Sequence, residues 1–185
     1  KVSILIAARN NGRFLTEAIE SACRQSVPCE VIYADDASSD HSLEVARSLE
    51  ERGVIVVPGF VHRGVCATRN RAAAMARGEF FVFLDGDDRL SPDFVARHLD
   101  AMSAGVPFVY GPARAFGEGP HARGCWSVPE WDKYDRWECN TVNTSAMYAR
   151  WAFHAAGGWS DRVPTMWDWD LALRASRFGI PRPSK

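Results

Sequence analysis

Short apolar strands alternate with amphipathic helical segments through the first 110 residues, and this alternation limits the possible folds more than any other feature. The predicted strands cover residues 2–7, 30–34, 54–57, 80–84 and 108–110. Helical patterns lie between them at 14–23, after a cap at Asp40, at 65–76, and after a cap at Ser91. Continuously apolar strands that alternate with helices predict an α/β fold with one mostly parallel, Rossmann-like sheet and helices on both faces.

The remainder of the chain is less regular. Residues 111–140 are rich in Gly, Pro and Trp and are predicted to form loops and a hairpin. A strand is expected within 143–149 and helices at 150–156 and 169–178, while His98 is expected on a helix surface. A length of 185 residues suits one domain. We therefore treat 1–185 as a single domain with two halves, 1–110 and 111–185.

Composition excludes several classes of protein. Lys and Arg number 22 against 23 Asp and Glu, so no basic surface for nucleic acid is indicated. The apolar stretches are too short to span a bilayer, so no transmembrane segment is expected. Five cysteines show no metal-binding spacing and are interpreted as reduced thiols of a cytoplasmic protein: Cys23, Cys29, Cys66, Cys125 and Cys139. The patterns of P-loop, dinucleotide-binding, zinc-protease and serine-hydrolase sites are absent.

Polar clusters directly follow three of the predicted strands. They are residues 9–11 (RNN) after the first, 35–40 (DDASSD) after the second and 85–88 (DGDD) after the fourth. In open parallel sheets the carboxyl ends of the strands share one edge, where ligands bind. If the strands are parallel, the three clusters therefore converge on one crevice.

The crevice would hold six aspartates, which repel one another unless a cation is present. A hard divalent ion, Mg²⁺ or Mn²⁺, binds one or two carboxylates together with phosphate oxygens. The DGDD segment suits this chemistry. Gly86 separates Asp85 from Asp87, and because it has no side chain, the backbone there can be approached closely. The alternative interpretation of DGDD is an ordinary acidic turn.

Five segments, in order and with matching spacing, resemble the family 2 glycosyltransferases, which have the GT-A fold. The segments are 2–10 (VSILIAARN), 35–40 (DDASSD), 62–70 (HRGVCATRN), 83–88 (FLDGDD), and 157–159 (GGW) followed by 167–171 (WDWDL). The resemblance covers almost the whole chain. It implies an inverting transfer of a sugar from a nucleotide-diphosphate donor to a hydroxyl acceptor.

The resemblance also implies roles for individual residues. Asp168 would be the catalytic base, and Asp87 would hold Mg²⁺ or Mn²⁺ on the diphosphate. Trp167 and Trp169 would contact the acceptor. The residues that would bind the nucleotide sugar are Ala7, Arg9, Asn10, Asp36, Gly64, Arg69, Asp85 and Gly86.

The chain departs from the family pattern at several positions, and one mild departure is Ala37 in place of glycine. Arg9 stands where the family usually has an aromatic residue that stacks on the base, although a guanidinium plane can also stack. His62 replaces an asparagine, and Trp167 replaces a glutamate that often touches the acceptor. Family members usually continue beyond the segment that corresponds to residue 185, so we expect that part of the acceptor site is not included.

These observations predict a metal-dependent inverting glycosyltransferase. The expected donor is a nucleotide-diphosphate sugar, with a UDP-sugar favoured, and the expected acceptor is a saccharide or lipid-linked sugar. The expected location is the cytoplasm or the inner face of the membrane. Two alternatives stay open: a degenerate domain that binds nucleotide or glycan without turnover, and a sugar nucleotidyltransferase. The second is disfavoured, because residues 7–12 (AARNNG) lack the Gly-rich basic loop of those enzymes.

Overall fold

A seven-stranded sheet forms the centre of the computed structural model, which describes residues 1–117, 124–126, 129–131, 140 and 142–184. The described part of the chain has nine strands: β1 (Val2–Ala8), β2 (Cys29–Asp35), β3 (Val54–Val57), β4 (Phe80–Asp85), β5 (Phe108–Tyr110), β6 (Ala113–Arg114), β7 (Cys125–Trp126), β8 (Met147–Ala149) and β9 (Arg182–Pro183). Strands β6 and β7 pair with each other outside the seven-stranded sheet. The sheet order is β3-β2-β1-β4-β8-β5-β9, and β8 is antiparallel to both of its neighbours. The predicted mostly parallel sheet is confirmed, and it includes strands from both halves of the chain.

Six α-helices are present in the described part of the chain. They are α1 (Gly12–Cys23), α2 (Ser42–Ser48), α3 (Val65–Met75), α4 (Phe94–Ala101), α5 (Arg150–Ala155) and α6 (Trp167–Ala175). Short 3₁₀ helices follow at Glu50–Arg52 and Ser176–Phe178. Among the described residues, no helix combines the length and apolar character that crossing a membrane requires.

The helices cover both faces of the sheet, as predicted. Side chains alternate between the two faces along a strand, so β1 sends Leu5 to one side and Ile4 and Ile6 to the other. Leu5 belongs to a core that includes buried residues of α3, α5 and α6. Ile4 and Ile6 belong to a second core with α1, α2 and α4. The central strand β1 is thereby buried along its whole length.

Several element boundaries differ from the prediction. Helix α4 begins at Phe94 instead of at Pro92, because Ser91 and Phe94 first close a turn through their backbones (N···O 3.0 Å). Helix α6 begins at Trp167 instead of after Asp168, so Asp168 lies within its first turn. Only the last three residues of the predicted 143–149 strand are extended. In the described part of 111–140, the expected hairpin is the antiparallel β6–β7 pair.

The prediction that His98 lies on a helix surface is wrong. Its residue exposure is 3%, and its ring stacks on Phe94 with the centroids 3.8 Å apart. Burial of the imidazole lowers the pKa of His98 to about 4. His98 is buried because α4 packs against β5, which places the face of the helix that carries His98 toward the core.

The described cysteines agree with the predicted reduced state. Cys23, Cys29, Cys66 and Cys125 are free thiols, and Cys139 lies outside the described residues. Burial raises the pKa of Cys29 to about 11. That thiol therefore stays protonated near neutral pH.

Candidate active site

Three polar clusters meet at one edge of the sheet, as the sequence predicted. In the strand register, Ala7 of β1 lies between Ala34 of β2 and Asp85 of β4. Ala8 pairs with Asp35 one residue further on. Because these three strands are parallel neighbours, their carboxyl ends are level, and the loops that follow them are adjacent.

The loops after β1 and β2 are joined by hydrogen bonds. The Asn10 side-chain oxygen accepts from the Ser39 N–H (2.8 Å), and the Asn10 N–H donates to Ser38 Oγ (3.0 Å). Asp40 accepts from the N–H groups of Gly12 (3.0 Å) and Ser42 (2.9 Å). Asn10 and Asp40 thus fix the shape of this edge, and Asp40 connects the starts of α1 and α2.

Backbone strain is concentrated around this edge. In the described ranges, the non-glycine residues with positive φ are Asn10 (56°), Ala37 (57°) and Met166 (58°). The first two are in the loops after β1 and β2, and Met166 directly precedes α6. Such a conformation costs a non-glycine residue on the order of 1–2 kcal/mol, and strain of this kind clusters at functional sites.

Asp36 is buried and holds the segment that leads into α3. One carboxylate oxygen accepts from the Arg63 N–H (2.8 Å), and the other from the Gly64 N–H (3.0 Å). The second oxygen also lies 2.7 Å from His62 Nδ1. Burial alone would raise the pKa of Asp36, but these hydrogen bonds outweigh it and hold the pKa below its ordinary value. The N–H of Gly64, a predicted donor-site residue, is therefore engaged by Asp36.

Arg69 reaches the site through Asp85. The Arg69 guanidinium forms an ion pair with the Asp85 carboxylate, and its central carbon lies 4.2 Å from the centroid of the Trp159 ring. The Arg69 side chain is only 6% exposed, against 32% for Asp85. Arg69 is therefore positioned to orient Asp85, while Asp85 keeps a solvent-facing surface.

Replacing Arg69 by methionine is expected to destabilise the fold by about 1–3 kcal/mol, because Asp85 loses its charged partner. The matched control is Arg97→Ala, which removes the exposed ion pair with Asp93 (3.0 Å) and is expected to cost at most about 1 kcal/mol. Urea unfolding of both variants measures the difference. Equal midpoints would contradict a structural role for the Arg69–Asp85 pair.

The acidic segment after β4 presents the carboxylates of Asp87 and Asp88 at the surface. Gly86 packs so tightly that an added Cβ would lie 2.6 Å from Ala8 Cβ. Asp87 is exposed, and no hydrogen bond or ion pair of its side chain occurs among the described residues. Desolvation by the surrounding protein and the charges of Asp85 and Asp87 raise the pKa of Asp88 to about 6. The segment thus concentrates negative charge that a bound cation would relieve.

The carboxylates of this segment could hold a divalent cation that is also bound by a phosphate of the substrate. In the described part of the chain, no three His, Cys, Asp or Glu side chains converge as a metal cage. Mg²⁺ and Mn²⁺ do not need such a cage, since they retain water and bind through one or two carboxylates and a substrate phosphate. Asp87, exposed and unpartnered in this region, is suited to be that carboxylate.

Asp168 lies in the first turn of α6, where its Oδ1 accepts from the Trp169 N–H (2.8 Å) and from Asn140 Nδ2 (3.3 Å). Burial, followed by the charge of Asp168, raises the pKa of Tyr148. Arg69 acts on the same hydroxyl with the opposite sign. Asp168 and Arg69 therefore both lie within electrostatic range of one buried tyrosine.

Side chains of α3 and α6 form hydrogen bonds with the backbone of the segment between α5 and α6. Asn70 of α3 donates to the Trp159 carbonyl (2.8 Å) and accepts from the Trp159 N–H (3.0 Å). From α6, Arg174 binds the carbonyls of Ala156 and Gly158. No role was predicted from the sequence for Asn70, Trp159 or Arg174, although the first two lie within segments that resemble the family.

The two predicted acceptor contacts belong to the start of α6. The Trp167 indole N–H donates to the Val163 carbonyl (3.0 Å), and its ring packs partly against the core. Trp169 is also half-buried. Arg9 is exposed, and its guanidinium has no partner among the described residues.

Comparison with known sequences identifies the family. A family model described as Glycosyl transferase family 2 matches residues 3–154. The chain is 27% identical over 183 residues to chondroitin synthase from Pasteurella multocida, a match that covers 96% of this chain and 19% of that protein. It is 32% identical over 103 residues to the poly(ribitol-phosphate) beta-glucosyltransferase of Bacillus spizizenii, a match that covers 52% of this chain and 16% of that protein. The chain spans about a fifth of the length of these curated relatives.

Comparison with solved structures shows the fold. TarS from S. aureus (residues 1–349) superposes with a TM-score of 0.78 at 19% identity, covering 100% of this chain and 57% of that one. The mannosyltransferase PcManGT from Pyrobaculum calidifontis, in complex with GDP-Man and Mn²⁺, superposes with a TM-score of 0.77 at 18% identity. This match covers 100% of this chain and 54% of that one. The fold is GT-A, as expected. With its family model matched over most of its length, the chain belongs to glycosyl transferase family 2.

Proposed function

We propose that the chain is the catalytic domain of a metal-dependent, inverting glycosyltransferase, with a nucleotide-diphosphate sugar as donor. One observation carries the proposal: three parallel strands of a family 2 domain bring Asp36, Asp85 and the exposed Asp87 to one edge of the sheet. That edge is where open α/β sheets bind ligands. The donor-side half is 1–110 and the acceptor-side half is 111–185.

The nucleotide sugar would lie across the carboxyl ends of β1, β2 and β4. Ala7 and Gly86 would line the donor edge, where the missing side chain of Gly86 makes room for Ala8. The free guanidinium of Arg9 would contact the nucleotide. Asp85, oriented by Arg69, would bind the ribose. A UDP-sugar is the favoured donor, and the complexes of TarS with UDP and UDP-GlcNAc are consistent with that choice for a protein of this fold.

Asp87 would hold Mg²⁺ or Mn²⁺. When bound, such an ion neutralises the negative charge that develops on the departing diphosphate. Asp87 suits this role because its carboxylate is exposed and is not engaged by any described group. Desolvation contributes most to the raised pKa of Asp88, about 6, and the charges of Asp85 and Asp87 add to it.

Asp168 would act as the general base. It removes the proton from an acceptor hydroxyl, whose oxygen forms a bond to the anomeric carbon of the sugar. The bond between that carbon and the diphosphate oxygen breaks, and its electron pair leaves with the diphosphate. Attack from the face opposite the leaving group inverts the anomeric configuration in one step.

The acceptor would be a saccharide or a lipid-linked sugar, bound beside Trp167 and Trp169 at the start of α6. Aromatic rings suit this task, since they combine an apolar face with a polar edge. The free thiols of the described cysteines are compatible with action in the cytoplasm, where nucleotide sugars would be encountered.

The test is turnover of a panel of UDP-, GDP- and dTDP-sugars with saccharide acceptors, in Mn²⁺ and in chelator. We expect Mn²⁺-dependent release of nucleoside diphosphate and a product whose anomeric configuration, measured by NMR, is inverted. Tight nucleotide binding without release would instead support the degenerate binding domain. A product with retained configuration would contradict the single-displacement mechanism.

A further inference from the structure

A short segment between α5 and α6, residues 156–160 (AGGWS), contacts the two helices that carry candidate site residues. Here it is called the bridge segment. Helix α3 carries Arg69, whose guanidinium pairs with Asp85 at the donor edge. Helix α6 carries Asp168 in its first turn. The bridge segment therefore lies between the helix beside the donor edge and the helix of the candidate base.

Helix α3 holds the bridge segment with one of its faces. The Asn70 amide donates to the Trp159 carbonyl (2.8 Å) and accepts from the Trp159 N–H (3.0 Å). Cys66 Sγ donates to the Ser160 carbonyl (3.4 Å), and the Arg69 guanidinium lies over the Trp159 ring. Side chains three and four residues apart share a face of a helix, so Cys66, Arg69 and Asn70 contact the segment together.

Gly158 allows the bridge segment to approach α3 this closely. Its φ is 70°, and an added Cβ would lie 2.7 Å from Asn70 Oδ1 and 3.3 Å from Phe153 Cζ. The adjacent Gly157 also has a positive φ, of 83°, but an added Cβ there has no described atom within 4 Å beyond its chain neighbours. Gly158 is therefore required by its contact with Asn70 as well as by its backbone conformation.

Arg174 holds the bridge segment from the side of α6. Its Nη1 donates to the Gly158 carbonyl (2.8 Å), while its Nε (3.0 Å) and Nη2 (2.6 Å) both donate to Asp170 Oδ2. Asp170 lies in the same first turn of α6 as Asp168. One guanidinium thus joins the bridge segment to the turn that presents Asp168.

We propose that Asn70 and Arg174 are positioning residues: through the backbone of the bridge segment, they hold Asp168 in a fixed place relative to Asp85. This inference rests on the proposed function. Transfer requires the base, the acceptor oxygen and the anomeric carbon to be aligned, and a displacement of about 1 Å can cost about 10²-fold in rate. The donor edge makes its own contacts, so donor binding does not depend on this alignment.

Asn70→Ala is expected to lower kcat by about 10–100-fold, because the base is no longer held in place, while the affinity for nucleoside diphosphate in Mn²⁺ stays within about twofold. The matched control is Gln25→Ala. The Gln25 amide also holds the backbone of a distant segment, since it donates to the Ser91 carbonyl (2.9 Å) and accepts from the Val95 N–H (3.0 Å). This control is expected to keep kcat.

Arg174→Lys is a conservative test of the same inference. A lysine keeps the positive charge beside Asp170, but it lacks the planar fork that binds Asp170 and the Gly158 carbonyl at once. We expect kcat to fall by about tenfold with diphosphate affinity retained. The control is Arg97→Lys, whose partner Asp93 has the same spacing on the surface of α4, and it is expected to leave kcat unchanged.

A double-mutant cycle distinguishes positioning from a merely structural role. If Asn70 acts through Asp168, adding Asn70→Ala to Asp168→Asn lowers the residual rate by no more than about threefold. A merely structural role would lower the rate by the same factor with and without Asp168. Urea unfolding of each variant shows whether it is folded under the assay conditions.

The outcomes separate this inference from the proposed function. If the unmodified chain transfers sugar and both Asn70→Ala and Arg174→Lys keep kcat, the inference is wrong and the proposed function stands. Equal losses in the two backgrounds of the cycle, or a parallel loss of diphosphate affinity, would also overturn the inference alone. If the unmodified chain transfers no sugar from any donor, the proposed function fails, and the inference fails with it.

Discussion

Asp168→Asn is expected to lower the rate of sugar transfer by about 10²–10⁴-fold, the usual contribution of a general base, while nucleoside diphosphates bind with unchanged affinity. The amide cannot take the proton of an acceptor hydroxyl. It nevertheless has the same shape and can still accept the Trp169 N–H bond that Asp168 Oδ1 makes at 2.8 Å. The measurement is the release of diphosphate under saturating donor, together with a titration of the diphosphate alone.

The control for Asp168 is Asp161→Asn, which removes a carboxylate from the exposed segment ahead of α6. This variant is expected to turn over at the rate of the unmodified chain. An Asp168→Asn rate within about threefold of the unmodified rate would show that another group accepts the proton, since a base normally contributes at least about 10²-fold. A parallel loss of diphosphate affinity would instead assign Asp168 to donor binding.

Asp87→Asn is expected to remove the Mn²⁺ dependence of diphosphate binding and to reduce transfer by at least about 10²-fold, because a bound cation contributes several kcal/mol of charge stabilisation. The fold should be unaffected, since the Asp87 side chain is exposed and makes no hydrogen bond or ion pair with the described residues. Titration of diphosphate with Mn²⁺ and with chelator gives the comparison.

A matched control for Asp87 is Asp93→Asn, also an exposed aspartate, whose pair with Arg97 lies on the surface of α4. It is expected to keep full Mn²⁺ dependence. If Asp87→Asn binds diphosphate as tightly in Mn²⁺ as the unmodified chain, Asp87 is not the metal ligand. Asp85 would then be the next candidate, as its carboxylate is 32% exposed.

The position of the candidate site was predictable from the sequence, because it follows from strand order. Buried strands that alternate with helices require parallel pairing, and parallel pairing brings the residues after β1, β2 and β4 together. The same reasoning identified Asp36, Asp85 and Asp87 as neighbours without any contact being known. The family resemblance added the assignment of Asp168, which lies far along the chain on α6.

The functional state of individual side chains was not predictable, because it depends on tertiary partners. The family resemblance implied that Arg69 binds the nucleotide, and the structure adds that its buried guanidinium pairs with Asp85 and lies over the Trp159 ring. His98 has the polar character of a surface residue, yet the packing of α4 against β5 buries it. These contacts join segments distant in sequence, so local patterns carry no signal for them.

Departures from the family pattern also become interpretable with the structure. Ala37 stands where the family usually has glycine, and its φ of 57° lies in the left-handed region that glycine adopts easily. His62 stands where the family usually has asparagine, and it pairs with Asp36 at 2.7 Å.

The most direct test of a metal-dependent donor site is thermal unfolding of the unmodified chain with UDP, GDP, CDP and dTDP, each in Mn²⁺ and in chelator. A ligand at about a hundred times its dissociation constant stabilises the folded state by about 2.7 kcal/mol. For a domain of this size that is a rise in Tm of roughly 5–10 °C. We predict such a rise with at least one diphosphate in Mn²⁺ and a much smaller one in chelator. Equal rises in Mn²⁺ and chelator would contradict the metal role of Asp87, and no rise with any diphosphate would contradict the donor site itself.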